Sequence, residues 1–232
     1  MKTLKTWAAA IVALSGAAQA ALVNRGGGMI YDTTRNITWL ADMNYASTSG
    51  HTGTGVNVNG TMTWSAATAW ADSLVYGGFS DWRLPALNPA DTTCSGNFNP
   101  VDGGFPTQFF GFGCTAGELS GLFITDLGNK ANESVLNQAG DTVEQIANLA
   151  LFSNVQLPVY WSGTEYAPNP AIAWVFLADV AFQSLTGGEG NAWYAVAVRP
   201  GDVAASVPEP QTLALALLAL GATVVARRRR PT

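Results

Sequence analysis

The sequence predicts an α+β domain over residues 21–203, on three observations. An amphipathic helix pattern lies in the first third, short strand-like runs fill the last third, and Gly-, Asn- and Pro-rich segments punctuate the chain without an internal repeat. Helices early and a meander of strands late imply two or three helices packed on antiparallel strands. A C-terminal single-pass helix completes the expected architecture.

The elements follow in order. Residues 1–20 carry Lys2 and Lys5, an apolar stretch from Trp7 to Ala18, and the triplet Ala18-Gln19-Ala20. This is the pattern of a cleaved signal peptide, because the apolar part is too short to span a bilayer stably. Met29–Asp32 and Ile37–Leu40 read as a hairpin around Asp32-Thr33-Thr34-Arg35-Asn36. Ser47 to Gly60, rich in Ser, Thr, Gly and Asn, reads as a loop. Trp64, Ala67, Trp70, Ala71 and Leu74 then recur at helical spacing, with Thr63 as cap and Gly77 as the end.

Asn88-Pro89 opens an insertion without periodicity that runs to Cys114. Thr115-Ala116-Gly117-Glu118 has the spacing of a capping box, ahead of a short helix with Leu119, Leu122 and Phe123 on one face. Asp141 to Leu151 reads as a further helix, with Asp141 and Glu144 at its start. Val159–Ser162, Ala173–Leu177, Ala181–Leu185 and Trp193–Arg199 read as strands, and Gly187 to Asn191 as an open turn.

Beyond the body, residues 204–212 form a linker holding Pro208, Glu209 and Pro210, residues 213–226 are uncharged, and residues 227–232 carry Arg227, Arg228, Arg229 and Arg230. At about 1.5 Å per residue the uncharged run is about 21 Å long, against a hydrocarbon core of about 30 Å, a shortfall that snorkelling arginines reduce. Clustered arginine stays cytoplasmic and leaves the body outside. The tripeptide, apolar helix and arginine cluster, in that order, resemble the PEP-CTERM sorting segment of Gram-negative bacteria that make exopolysaccharide. The resemblance implies processing near the tripeptide by an exosortase, a membrane transpeptidase-like enzyme, and passage from a membrane-anchored intermediate to the cell surface or beyond.

Charge excludes one class of partner. Lys2, Lys5 and the four terminal arginines are six of the eleven bases, whereas all sixteen acids follow Ala20. Only Arg25, Arg35, Arg83, Lys130 and Arg199 oppose them in the body, so there is no basic patch for a nucleic acid. An exported chain meets an oxidising compartment, which predicts a disulfide between its two cysteines, Cys94 and Cys114.

Several segments together carry a family resemblance. They are Gly28-Met29-Ile30-Tyr31-Asp32 with Ile37-Thr38-Trp39-Leu40, then Thr63-Trp64-Ser65-Ala66-Ala67, then Asp81-Trp82-Arg83-Leu84-Pro85. Tyr160-Trp161-Ser162-Gly163-Thr164, Ala173-Trp174-Val175-Phe176 and Tyr194-Ala195-Val196-Ala197-Val198-Arg199 complete the set. The body resembles the bacterial Lcl C-terminal-like domain family, similar to the C-terminal domain of a collagen-like adhesin. That resemblance implies a C-type-lectin-like fold, related in outline to formylglycine-generating enzymes. The sequence departs from the family pattern after Leu84-Pro85, where Glu118-Leu119 arrives only beyond the insertion. Trp39, Trp64, Trp82, Trp161 and Trp174 read as core residues, and Arg83 as a structural arginine paired to Asp81 or Glu118.

Catalysis needs a poised nucleophile, acid, base or metal. His51 is the single histidine, lies in a Gly/Thr-rich loop, and has no neighbouring cysteine. The body therefore reads as non-catalytic, with no cofactor and no metal centre. Asp91 and Asp102 are the acids an oxygen-ligand calcium site would draw on, but scattered surface acids ordinarily serve solubility. Two functions remain open: a module binding exopolysaccharide or another surface glycan, with Tyr166, Trp193 and Tyr194 as stacking candidates, or a structural matrix protein without a small ligand.

Overall fold

The computed structural model describes residues 21–100, 104–186, 188 and 190–203. The signal-peptide, linker, single-pass-helix and arginine-tail expectations for residues 1–20 and 204–232 lie outside them. Among the described residues no helix is long and apolar enough to cross a membrane.

The first sheet has four antiparallel strands in the order β1 (Leu22–Gly26), β2 (Met29–Asp32), β3 (Ile37–Leu40) and β9 (Val198–Pro200). The β2–β3 hairpin has the bounds its pattern predicts, and the chemistry of its loop explains why. Asp32 Oδ1 accepts the amides of Thr34 and Arg35 at 3.0 and 2.9 Å, and Asn36 closes the loop at φ 53°, a left-handed conformation asparagine tolerates. β9 pairs Thr38 with Arg199, so the last strand returns to the N-terminal hairpin. Arg25 grips Asp202 through two hydrogen bonds of 2.8 and 2.5 Å, which brings the two ends of the body together.

The second sheet is β6 (Val159–Glu165), β7 (Ala173–Leu177) and β8 (Phe182–Leu185), antiparallel throughout. Both of its faces are buried. Tyr160, Trp174 and Phe176 point into one apolar cluster with Trp39, Leu119, Leu122 and Phe123. Val159, Trp161 and Val175 point into another with Met62, Trp70, Ala71 and Trp82. Trp82, Trp161 and Trp174, the predicted core tryptophans of this half, are 2%, 0% and 0% exposed.

Among the described residues four short helices, rather than two or three, flank the sheets: α1 (Tyr45–Thr48), α2 (Trp64–Ser73), α3 (Glu118–Gly121) and α4 (Val143–Leu149). Thr63 caps α2 through Ala66 N, but the helix ends at Ser73, ahead of Gly77. The chain leaves early because Tyr76 must pack edge-on between Tyr45 and Trp82, with Gly77 (φ 61°) in the turn where Tyr76 and Phe79 exchange backbone hydrogen bonds. α3 runs into a π-helical turn, Leu122–Asp126. α4 starts at a capping box formed by Thr142 and Gln145, not by Asp141 and Glu144; Asp141 is drawn instead to Lys130. The predicted strand from Trp193 shrinks to β9, since residues 195–197 run between the two clusters.

One buried ionic group ties the first sheet to the helices. Arg35 bridges Asp32 at 2.6 Å and Asp126 at 2.5 Å, and Trp39 Nε1 donates to Asp32 at 3.4 Å. Burial works against the Arg35 charge, yet Asp126 and Asp32 together outweigh it and hold its pKa above the ordinary value. Burial pushes Asp126 up, and the shared guanidinium pulls it only part of the way back.

Candidate functional site

The insertion is closed at its neck by three devices. Arg83 donates to both carboxylate oxygens of Glu118 at 2.7 Å, and Glu118 also accepts the Ala86 amide at 2.8 Å. The expected capping box is therefore absent: the residue before α3 is Gly117, without a side-chain cap, because Arg83 has taken the Glu118 carboxylate. Glu118 holds the Arg83 pKa up despite burial. Asp81, the other partner considered for Arg83, is held below the ordinary carboxylate range by its hydrogen bonds to Arg199. Asp91 is the second closure, accepting from Thr93 N and Oγ1 at 2.9 and 2.5 Å and from Ala116 N at 2.8 Å.

The third closure is the disulfide joining Cys94 and Cys114. Asp91 stands beside these sulfurs, but a disulfide offers no thiolate to a metal and the Asp91 oxygens are occupied by the loop. Asp102 lies outside the described residues. With a sequence separation of 20 between the cysteines, the bond is expected to contribute about 3 kcal/mol by restricting the unfolded chain. Denaturant unfolding with and without reductant measures that difference, and unreduced peptide mapping should recover the linked pair; two alkylatable thiols would contradict the bond.

Beyond its neck the insertion carries a small hairpin, β4 (Gly96–Phe98) and β5 (Gln108–Phe110), that three-residue strands made invisible to periodicity. The hairpin docks on the exposed edge of β8, where Gly111 and Gln183 exchange backbone hydrogen bonds of 2.9 Å. Gln183 Nε2 reaches the carbonyls of Asn88 and Phe109, both at 3.1 Å, and Phe110 and Phe112 pack edge-on against Phe182. An apolar groove of about 150 Å³ remains between Phe98, Phe110, Ser184 and Leu185.

The three stacking candidates are not brought together. Tyr166 packs against Phe98, Tyr194 against Tyr160, and Trp193 exchanges backbone hydrogen bonds with Met62. All three are half-buried, so they form no shared platform. A cavity of about 340 Å³ opens instead beside Arg35, Asp126, Glu144 and Asn148, and a cleft of about 200 Å³ lies between His51 and α2.

Comparison with known families gives two matches. The family described as the Lcl C-terminal domain matches residues 28–199. The chain belongs to the Lcl C-terminal domain family. A second family, the PEP-CTERM protein-sorting motif, matches residues 206–230. No curated protein and no solved structure matches.

The residues that carry the Lcl resemblance are structural. In Asp81-Trp82-Arg83, the aspartate holds Arg199, the tryptophan fills the core, and the arginine holds Glu118 while exchanging backbone hydrogen bonds of 2.8 Å with Val198. The Lcl domain is followed directly by the sorting motif, and segments of this kind are recognised by exosortase. The protein is exported, passes through a membrane-anchored stage, and reaches the cell surface or the extracellular space. Pro208, Glu209, Pro210 and Arg227 to Arg230 fall within the matched motif and outside the described residues.

Proposed function

We propose that this chain is a non-catalytic surface or matrix protein whose C-type-lectin-like Lcl body binds exopolysaccharide or another cell-surface glycan. The sorting motif directly after the Lcl domain carries the reading, because it directs the body to where such polymers accumulate. Pro208, Glu209 and Pro210 mark the processing region, and Arg227 to Arg230 hold the apolar segment until the exosortase acts. The hydrogen-bonded neck makes the insertion a rigid support for loops, as ligand contacts on a scaffold require. Its groove offers an aromatic surface of the type on which sugar rings stack.

A second reading, a structural matrix protein without a small ligand, is favoured by Tyr166 and Tyr194, whose rings are already engaged by other aromatics. A glycan array probed with the full chain separates the two. Reproducible binding to a defined set of glycans is expected; a blank array would leave the structural role.

A further inference from the structure

The cavity of about 340 Å³ beside Arg35 is walled by ionised side chains from three elements. Arg35 enters from the β2–β3 loop, Asp126 from the π-helical turn and Glu144 from the first turn of α4. Asp32, fully buried, stands behind Arg35 as its other partner. Arg35 is thus shared by two carboxylates before Glu144 is counted. Glu144 forms no ion pair among the described residues, and its charge is one cause of the raised Asp126 pKa. The group is short of positive charge.

Solvent screens an exposed glutamate, so Glu144 alone implies nothing. The buried members of the wall say more. Asp126 and Asn148 are 6% and 5% exposed, and both line the cavity. Asp126 accepts from Arg35 at Oδ2, and Asn148 donates its amide to the Asp126 carbonyl at 3.0 Å. The Oδ1 atom of each accepts no hydrogen bond within the described residues and is not sealed from solvent. What surface these oxygens keep is turned to the cavity, and a buried acceptor without a partner calls for a donor.

The chain brings a donor to this wall. Ala21 lines the same cavity, its carbonyl fixed by Thr33 N at 2.8 Å and Thr33 Oγ1 at 3.2 Å. Leu22, the next residue, pairs with Asp32 and is 3% exposed, so the strand is anchored up to this point. Ala21 also follows Ala18-Gln19-Ala20, the expected cleavage triplet. Cutting there turns its amide into an α-ammonium. That nitrogen is about 1.5 Å from Cα, so it lies at the cavity wall whichever atom of Ala21 forms the wall. An ammonium donates only, which complements a wall of unfilled carboxylate and amide oxygens.

We propose that the cleaved N-terminus seats its ammonium in this cavity, against the Asp126 and Asn148 oxygens and Glu144, completing the ionic group only after export. The inference is independent of glycan binding and rests on cleavage after Ala20. In the cleaved chain Ala21 and Lys130 carry the only two amines, since Lys2 and Lys5 leave with the signal peptide. Reductive methylation with 13C-formaldehyde labels both, keeps their charge, and gives each a resonance to titrate in the mature chain in detergent. The α-amine should titrate near about pH 9, roughly tenfold above the proton affinity of the ordinary range of about 7.7–8.0. Ser-Gly placed ahead of Ala21 moves the ammonium by about 7 Å and should return it to about 8. Glu144→Gln, a change at an exposed position, should lower the mature value without unfolding the body. Below about pH 8 the mature chain should melt roughly 2–4 °C above the extended one. Because the folded-state pKa is the raised one, that advantage is lost as pH passes about 9. A mature α-amine that titrates like the extended one overturns the proposal, and so does an E144Q chain that keeps the raised value. N-terminal sequencing that starts anywhere but Ala21 overturns it as well.

Discussion

Replacing Asp32 with alanine is expected to destabilise the body by about 3–5 kcal/mol, the largest effect of any single polar substitution in it. Asp32 is fully buried and accepts four hydrogen bonds: the amides of Thr34 and Arg35, the Arg35 guanidinium and Trp39 Nε1. Its loss opens the β2–β3 loop and leaves Arg35 with only Asp126. A domain of this size has about 5–15 kcal/mol in total, so the variant should unfold at much lower urea and accumulate poorly. Asp126→Asn is the informative contrast. Burial already holds Asp126 above the ordinary carboxylate range. A carboxyl that is a weaker acid when folded favours folding in its protonated form, and that contribution is lost as pH rises through the folded-state pKa. The asparagine variant should therefore stay within about 1 kcal/mol of wild type at neutral pH and lose less stability between acid and neutral pH. Urea titrations from about pH 4 to about pH 8 test both; equal losses for the two variants would refute an unequal sharing of Arg35.

Pro208→Ala combined with Glu209→Ala is expected to block maturation outright while leaving the body folded. Neither proline has an amide donor, and both favour extended backbone, which suits a segment read as a strand by a processing enzyme. Without that segment the chain should collect as a larger membrane-bound species, because Arg227 to Arg230 resist crossing. Deleting the four arginines should act differently, releasing unprocessed chain outward. Fractionation with intact-mass measurement, in a host that carries the sorting system, distinguishes the two. Normal trimming and surface arrival of the double variant would reduce the tail to an ordinary anchor.

Much of the scaffold was legible because its signals are local. Asp32 and Asn36 set the first hairpin through contacts within a few residues, and Thr63 caps α2 three residues away. Ala173–Leu177 forms β7 with the predicted bounds. The capping box at Glu118 fails for the converse reason: its carboxylate is claimed by Arg83, 35 residues away, a pairing the sequence offers beside Asp81 and one that leaves the carboxylate unable to serve the helix start. Tyr166, Trp193 and Tyr194 are stacking candidates only where strand alternation leaves them exposed, and the structure packs each of them partly against an apolar cluster. The cleft between His51 and α2 is a tertiary product of a loop crossing a helix, and its residues share no motif.

The way the chain leaves its body also decides how it responds to tension. Once tethered through the C-terminal segment, the protein feels any external pull first along β9. That strand is flanked by β3 on one side and by the Arg83 segment on the other. Thr38 Oγ1 donates to Gly201 O at 2.7 Å, Gly201 N donates to Asn36 O at 2.8 Å, and Arg199 is clamped by Asp81 with its guanidinium 4.0 Å from the Phe79 ring centre. A lengthwise pull loads these bonds together instead of peeling them singly. The exit strand thus acts as a mechanical fuse, and unfolding under force should begin with its release from the hairpin.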